Sequence, residues 1–153
     1  GKQPMGGHKD TITNIRDNSE FVVNIVSYAA KDKMNETTAP FNPNESEVDI
    51  AKLEILESYL VAPVRLAISP IHMECKLYKI IDLPSLKENE YNGMVLGHVI
   101  GIHINDEVLE DGKVNLRKIK PLSRLGYLDY SIVDNIFEMH RPEGSPRPDQ
   151  VKK

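Results

Sequence analysis

Hydrophobic positions along this chain change rhythm, from helical spacing near the start to strict alternation in the middle. Ile12 and Ile15 fall on one face of a short helical pattern that follows Lys9-Asp10-Thr11, with Asp10 or Thr11 as the expected N-cap. Residues 21–26, Phe-Val-Val-Asn-Ile-Val, read as a strand. Its apolar residues occur on both faces, so a central or helix-covered strand is expected. Residues 28–36 predict a second helix, ended by Thr37-Thr38-Ala39-Pro40 and a loop through Asn44. Ser46 and Asp49 have the spacing of a capping box, with Asp in place of the usual Glu. Behind them Leu53, Leu56 and Leu60 are spaced three to four apart, which predicts one helix over 47–57 with Glu54 and Glu57 on its solvated face.

Beyond that point strands take over. Residues 64–68 predict a short one, interrupted by Ser69-Pro70. In the next, Ile71, Met73, Cys75 and Leu77 face one way and His72, Glu74 and Lys76 the other. After a polar loop over 84–92, the longest strand covers 94–104, with Met94, Leu96, His98, Ile100, Ile102 and Ile104 on one face and Val95, Gly97, Val99, Gly101 and His103 on the opposite one. Gly97 and Gly101 permit a bend or the close approach of another backbone or a ligand. A polar connection over 105–112 precedes Asn115, which can cap a helical turn ending at Pro121. The apolar patch Ile132, Val133, Ile136 and Phe137 follows, and then a proline-bearing tail with little apolar content. This order is not a regular βαβ alternation, so an antiparallel barrel or α+β arrangement is expected. Four or five strands would leave open edges unless further strands or a partner cover them.

Composition narrows the class without naming a function. The 153 residues suffice for one domain with a real core. With 40% apolar and 27% charged residues the chain is ordinary for a globular protein. A net charge of −4 and the lack of a basic stripe argue against nucleic-acid binding. Apolar runs are far too short for a membrane-spanning helix. The single Cys75 allows no internal disulfide, and a reducing, cytoplasmic compartment fits it best. Its place on the apolar face makes it a buried small hydrophobe rather than a nucleophile.

Candidate chemistry is sparse. His98 and His103, five residues apart on one strand, should point to opposite faces and not share a metal ion. His8, His72 and His140 have no companion at ligand spacing, and no hydrolase, zinc-protease or nucleotide-loop motif occurs. Gly6-Gly7-His8-Lys9-Asp10-Thr11, before a helix, can form a phosphate grip from unpaired N–H groups, the Lys9 charge and the Thr11 hydroxyl; it can equally be a capped surface helix with a mobile leader. Arg124-Leu125-Gly126-Tyr127-Leu128-Asp129-Tyr130 either lines a pocket, with Arg124 meeting an anion and Tyr127 stacking or donating, or is a turn in which Arg124 pairs with Asp129.

Several of these segments, in order, resemble the flavin-reductase-like, FMN-binding split-barrel family. They are Lys9-Asp10-Thr11 with Asn14-Ile15 and Glu20-Phe21-Val22-Val23-Asn24, then Pro63-Val64-Arg65, Ser69-Pro70 and Glu74-Cys75. Gly97, Gly101, His103-Ile104, Asp111-Gly112 and the run from Pro121-Leu122-Ser123 through Tyr130 complete the series. The resemblance implies a mainly β, antiparallel split β-barrel with flanking short helices over residues 1–142, a flexible tail over 143–153, and a homodimer with FMN near its interface. It also implies that Lys9, Asp10 and Thr11 meet the FMN phosphate and ribityl chain, and that His103, Arg124 and Tyr127 lie near the flavin or shape the pocket where a nicotinamide docks. The flavin would then carry electrons from NAD(P)H, with no catalytic side chain required. The family's early barrel strands, which precede its Lys-Asp-Thr motif, have no counterpart here, so the barrel is expected to be N-terminally incomplete. Two alternatives share the fold: a flavin-storage or flavin-sensing protein without turnover, and a non-catalytic oligomeric interaction protein.

Overall fold

The computed structural model describes residues 9–42, 45–85, 91–139 and 142. The tail from 143, the Gly6-Gly7-His8 leader, His140 and part of the loop after Pro84 lie outside the described residues. In chain order the elements are α1 (Asp10–Asn18), β1 (Glu20–Asn24), a 3-10 turn (Tyr28–Ala30) running into α2 (Lys31–Glu36), α3 (Glu47–Ile50), β2 (Ile55–Leu56) and β3 (Arg65–Leu66). The long strands β4 (Ile71–Leu83) and β5 (Asn92–Ile104) follow. A hairpin of β6 (Leu109–Glu110) and β7 (Lys113–Val114), then α4 (Leu116–Ile119), β8 (Leu122–Arg124) and β9 (Tyr130–Ile132) complete the described chain.

Every strand pair described is antiparallel, as the irregular element order predicts. The main sheet has the order β1-β4-β5. The strand over 21–26 is therefore an edge of that sheet, not its centre, and β4 holds the middle. The chain after β1 leaves β4 and turns to the distant segment before β8. The N–H of Ile25 still donates to Ile71, whereas Leu122 donates to Val26 and Tyr28 to Lys120, each at 2.9–3.0 Å. One extended segment thus joins two layers, which is how a sheet turns a barrel corner.

Two bulges shape the β4–β5 pair. Glu74 pairs with Gly101 and Cys75 with Val99, which leaves Ile100 extra on β5; Leu77 pairs with Gly97 and Lys79 with Leu96, which leaves Tyr78 extra on β4. An extra residue bends the strand and reverses the alternation beyond it. His98 and His103 consequently pair with Lys76 and His72 on β4, which are four apart and share a face. The opposite-face expectation fails for this reason. The two rings stay apart all the same, for His98 stacks on Tyr78 at 5.0 Å while His103 engages Glu74.

The glycines on β5 have the predicted use. A Cβ at Gly97 would lie 2.4 Å from the Phe21 ring of β1, and one at Gly101 would lie 2.9 Å from Leu60. The tight turn Asp111-Gly112, with both φ angles positive, closes the β6–β7 hairpin.

The local caps are mostly as read. Ser46 accepts from the Asp49 N–H at 3.3 Å, and Asn115 accepts from the Arg117 N–H at 2.9 Å. The helix predicted over 47–57 is much shorter. It ends at Ile50, and Lys52 has a left-handed backbone that turns the chain into β2. The leucine spacing there belongs to a strand and a loop, not to one helix face. The small core comprises Ile12, Ile15, Ala30, Ala51, Val61, Cys75, Val108 and Ile119. Val99, Ile100, Ile102 and Ile104 of β5 remain substantially exposed.

Candidate functional site

At the start of α1, Lys9 is the N-cap, and its carbonyl accepts from Ile12 at 2.9 Å and Thr13 at 3.3 Å. Asp10 and Thr11 are the first two helical residues, so the N-cap expectation is off by one position. Among the described residues no side chain caps this end. The burial of Ile12 and Ile15 and the negative charge of Asp10 in the first turn hold the helix instead. The first amides of a helix have no acceptor within it. Lys9 and Thr11 border a recess of about 230 Å³ whose other walls are Ile12, Tyr91, Gly93 and Val95. Tyr91 is braced there: its hydroxyl donates to Asp82 at 2.8 Å and accepts from Arg16 at 3.2 Å. Asp10 does not line this recess. On the other side of α1 a groove of about 470 Å³ runs from Thr11 and Asn14 past Glu20 to Ala62, Pro63 and Val64.

His103 belongs to a second cluster, one that the alternation pattern conceals. Glu74 and His72 fall on the polar side of the β4 alternation, yet Glu74 is wholly buried and His72 only 5% exposed. The loop 57–64 covers that face. Glu74 accepts from the backbone N–H groups of Tyr59, Leu60 and Val61 at 2.9, 2.6 and 3.1 Å, and His103 Nε2 donates to it as well. Burial by itself would raise the Glu74 pKa; the Tyr59 N–H, the His103 ring and the Leu60 N–H outweigh it and hold it at about 2. His72 lies beside this cluster and donates from Nε2 to the Leu66 carbonyl at 2.8 Å, while its buried Nδ1 has no hydrogen-bond partner among the described residues. Burial lowers its pKa, against the Leu66 carbonyl, and the Arg65 charge lowers it further. The sequence carries no signal for this cluster: the β4–β5 register sets Glu74 against Gly101 and His103 against His72, and the Glu74–His103 contact is a diagonal one that no single-strand pattern displays.

Arg124 and Tyr127 sit in a third place, the β8–β9 hairpin. The Arg124 side chain is engaged internally. It donates to the Tyr130 hydroxyl at 2.5 Å and to the Tyr127 carbonyl, and its guanidinium lies 4.6 Å from the centre of the Tyr130 ring. The segment forms a turn, but the expected Arg124–Asp129 pairing is not made: Asp129 contributes only its backbone to the turn. Tyr127 has a positive φ of 55° and is 95% exposed. The recess at α1, the Glu74 cluster and this hairpin are separate features; none of the cavities noted above includes residues of all three.

Cys75 is 2% exposed, its thiol donates weakly to the Met73 carbonyl at 3.5 Å, and burial pushes its pKa up. A thiol reagent is therefore expected to leave the native protein unlabelled and to modify one cysteine per chain on unfolding; rapid labelling of native protein contradicts the buried placement. Among the described residues no three His, Cys, Asp or Glu side chains are grouped to hold a metal ion. No described helix is long and apolar enough to cross a membrane.

An antiparallel β domain with short flanking helices, a cationic helix start beside a recess, and an internally braced sheet define the class to which the chain is to be compared. Residues 5–128 match the family described as flavin reductase like domain, and the chain belongs to that family. An uncharacterised protein of Halalkalibacterium halodurans is 31% identical over 142 residues, spanning 93% of this chain and 68% of the relative. The crystal structure of nitrilotriacetate monooxygenase component B from Bacillus cereus is similar at a TM-score of 0.81 and 32% identity, covering 90% of this chain and 68% of that one. A split barrel domain protein of Shewanella frigidimarina shares the fold at a TM-score of 0.74 and 20% identity, over 86% of this chain and 65% of that one. The fold is accordingly the mainly β split-barrel type that the motif order implies.

Proposed function

We propose that this chain is an FMN-binding flavoprotein that passes hydride between NAD(P)H and flavin. The observation that carries this reading is the placing of Lys9 and Thr11 together at the amino end of α1, on the edge of a recess, in a chain of the flavin reductase-like family. The fit to a phosphate is chemical. The Lys9 ammonium supplies charge, the Thr11 hydroxyl a donor, and the first amides of α1 have no helical acceptor. Asp10 suits the ribityl hydroxyls, from which a carboxylate accepts. Bound FMN would supply the redox chemistry, which these side chains do not have. The residues bind, orient and exclude water. His103, held by Glu74, is a candidate for the flavin's surroundings, and the hairpin of Arg124 and Tyr127 for the side on which a nicotinamide docks. A homodimer in the cytoplasm completes the reading, with a second copy covering the exposed apolar residues of β5. The monooxygenase component from Bacillus cereus supports it as a related protein of redox chemistry.

The test is a fluorescence titration of the purified full chain with FMN. Quenching that saturates at one FMN per chain is expected. Lys9→Ala should weaken binding by about tenfold or more, since a charge-assisted hydrogen bond contributes roughly 1.5–3 kcal/mol, and Lys9→Arg should keep most of the affinity. A chain that leaves FMN fluorescence unchanged overturns the reading. Oxidation of NAD(P)H with added flavin then separates an oxidoreductase from a flavin-storage protein.

A further inference from the structure

The loop 57–64 joins β2 to β3 and is fastened from within. Three successive backbone N–H groups, those of Tyr59, Leu60 and Val61, converge on the Glu74 carboxylate. Such a concavity of N–H groups is a site for an anion. Here the protein's own side chain occupies it, with no exposure to solvent. His103 Nε2 donates to the same carboxylate from β5. Further ties close the loop. Arg65 donates to the Glu57 carbonyl at 2.8 and 3.1 Å, the Ser58 hydroxyl donates to the Pro63 carbonyl at 2.6 Å, and the Ala62 N–H donates to Glu20 at 2.8 Å. Gly101 leaves room for Leu60 against the sheet.

This bracing does more than bury Val61, because the loop holds Tyr59 78% and Leu60 53% exposed. Its far end supplies a wall instead. Ala62, Pro63 and Val64 face Thr11 and Asn14 of α1 across the groove of about 470 Å³. We propose that Glu74 is a positioning residue: it touches no ligand, but as the internal anion of the loop 57–64 it sets that wall and thereby the shape of the groove beside the amino end of α1. The consequence for flavin affinity rests on the FMN reading above, with the phosphate at the amino end of α1 and the rest of the flavin reaching into this groove past Thr11, which borders both cavities; the anchoring of the loop does not.

The test compares the 153-residue chain with its Glu74→Ala and Glu74→Gln variants, with and without excess formate, by amide hydrogen exchange and by FMN titration. In Glu74→Ala the amides of Tyr59, Leu60 and Val61 should lose protection while those of α4 keep theirs, and FMN affinity should fall by about tenfold or more, as displaced binding groups commonly cost. Formate, an anion small enough for the vacated space, should restore both. Glu74→Gln keeps the volume and blocks the space, so formate should not rescue it. If Glu74→Ala folds only in formate, that dependence is itself the rescue. Unchanged exchange at the three amides overturns the anchoring role. Lost protection with unchanged FMN affinity overturns the positioning role and leaves the FMN reading intact. A wild-type protein that binds no FMN overturns the FMN reading, and the exchange pattern with its formate rescue still decides the anchoring role.

Discussion

Lowering the pH is expected to strip this fold of a stabilisation carried by one carboxylate, that of Glu74. Its pKa is held at about 2 in the folded protein against an ordinary value of 4.5. Because the folded value is the lower one, the unfolded chain takes up the proton first as the pH falls. The stabilisation is therefore complete above 4.5 and is lost progressively as the pH drops toward 2. Its ceiling is about 3 kcal/mol, since each unit of pKa difference corresponds to about 1.4 kcal/mol. The measurement is chemical denaturation of wild type and Glu74→Gln across this range. At neutral pH the variant should be much the weaker, because a neutral amide directs an N–H₂ group at donors that need an acceptor. The gap should narrow below 4.5, where the unfolded wild-type chain begins to take up the proton that the folded one refuses. A gap that stays constant down to about pH 2 means that the buried carboxylate does not hold the loop in this way.

Gly97→Ala is the second large effect expected. A methyl group there would meet the Phe21 ring at 2.4 and 2.8 Å and the Lys76 carbonyl at 3.3 Å. Phe21 lies on β1 and Gly97 on β5, with β4 between them, so the ring crosses the central strand to rest on the glycine. Overpacking of this kind costs roughly 1–3 kcal/mol, and each kcal/mol lowers the Tm of a domain this size by roughly 2–4 °C. Pairing Gly97→Ala with Phe21→Leu should give a loss smaller than the sum of the two single changes, since neighbours that share one space do not add. Gly126→Ala is the control, because nothing lies within 4 Å of its Cβ, and a change within about 0.5 kcal/mol is expected. Equal stabilities for Gly97→Ala, Gly126→Ala and wild type would contradict the close approach.

Much of the architecture was legible because it is local. Ile12 and Ile15 mark the buried side of α1, Ser46 and Asn115 cap the turns they precede, and the alternation from Ile71 onward reads as β4. Misreadings arose where local rules met a tertiary contact. Leu53, Leu56 and Leu60 satisfy helical spacing, but the left-handed Lys52 and the pairing of Ile55 with Leu66 draw that segment into β2. The bulge at Ile100 inverts the facing of every residue beyond it, a shift that a count along one strand does not contain.

The candidate site divides along the same line. By itself the sequence determined the motif order that places the chain in its family, and the cationic, hydroxyl-bearing start of α1, because residue type and position along one helix suffice for both. It also determined that Gly97 and Gly101 admit something close. Tertiary structure alone decided what that something is: the Phe21 ring at one glycine and Leu60 at the other. It alone made Glu74 the buried anion of a loop, and it engaged Arg124 with Tyr130 and the Tyr127 carbonyl instead of with Asp129. The physical reason is common to these cases. Whether a polar group is stable when buried depends on donors and acceptors brought from elsewhere in the chain, and their arrival is a property of the fold and not of the residue.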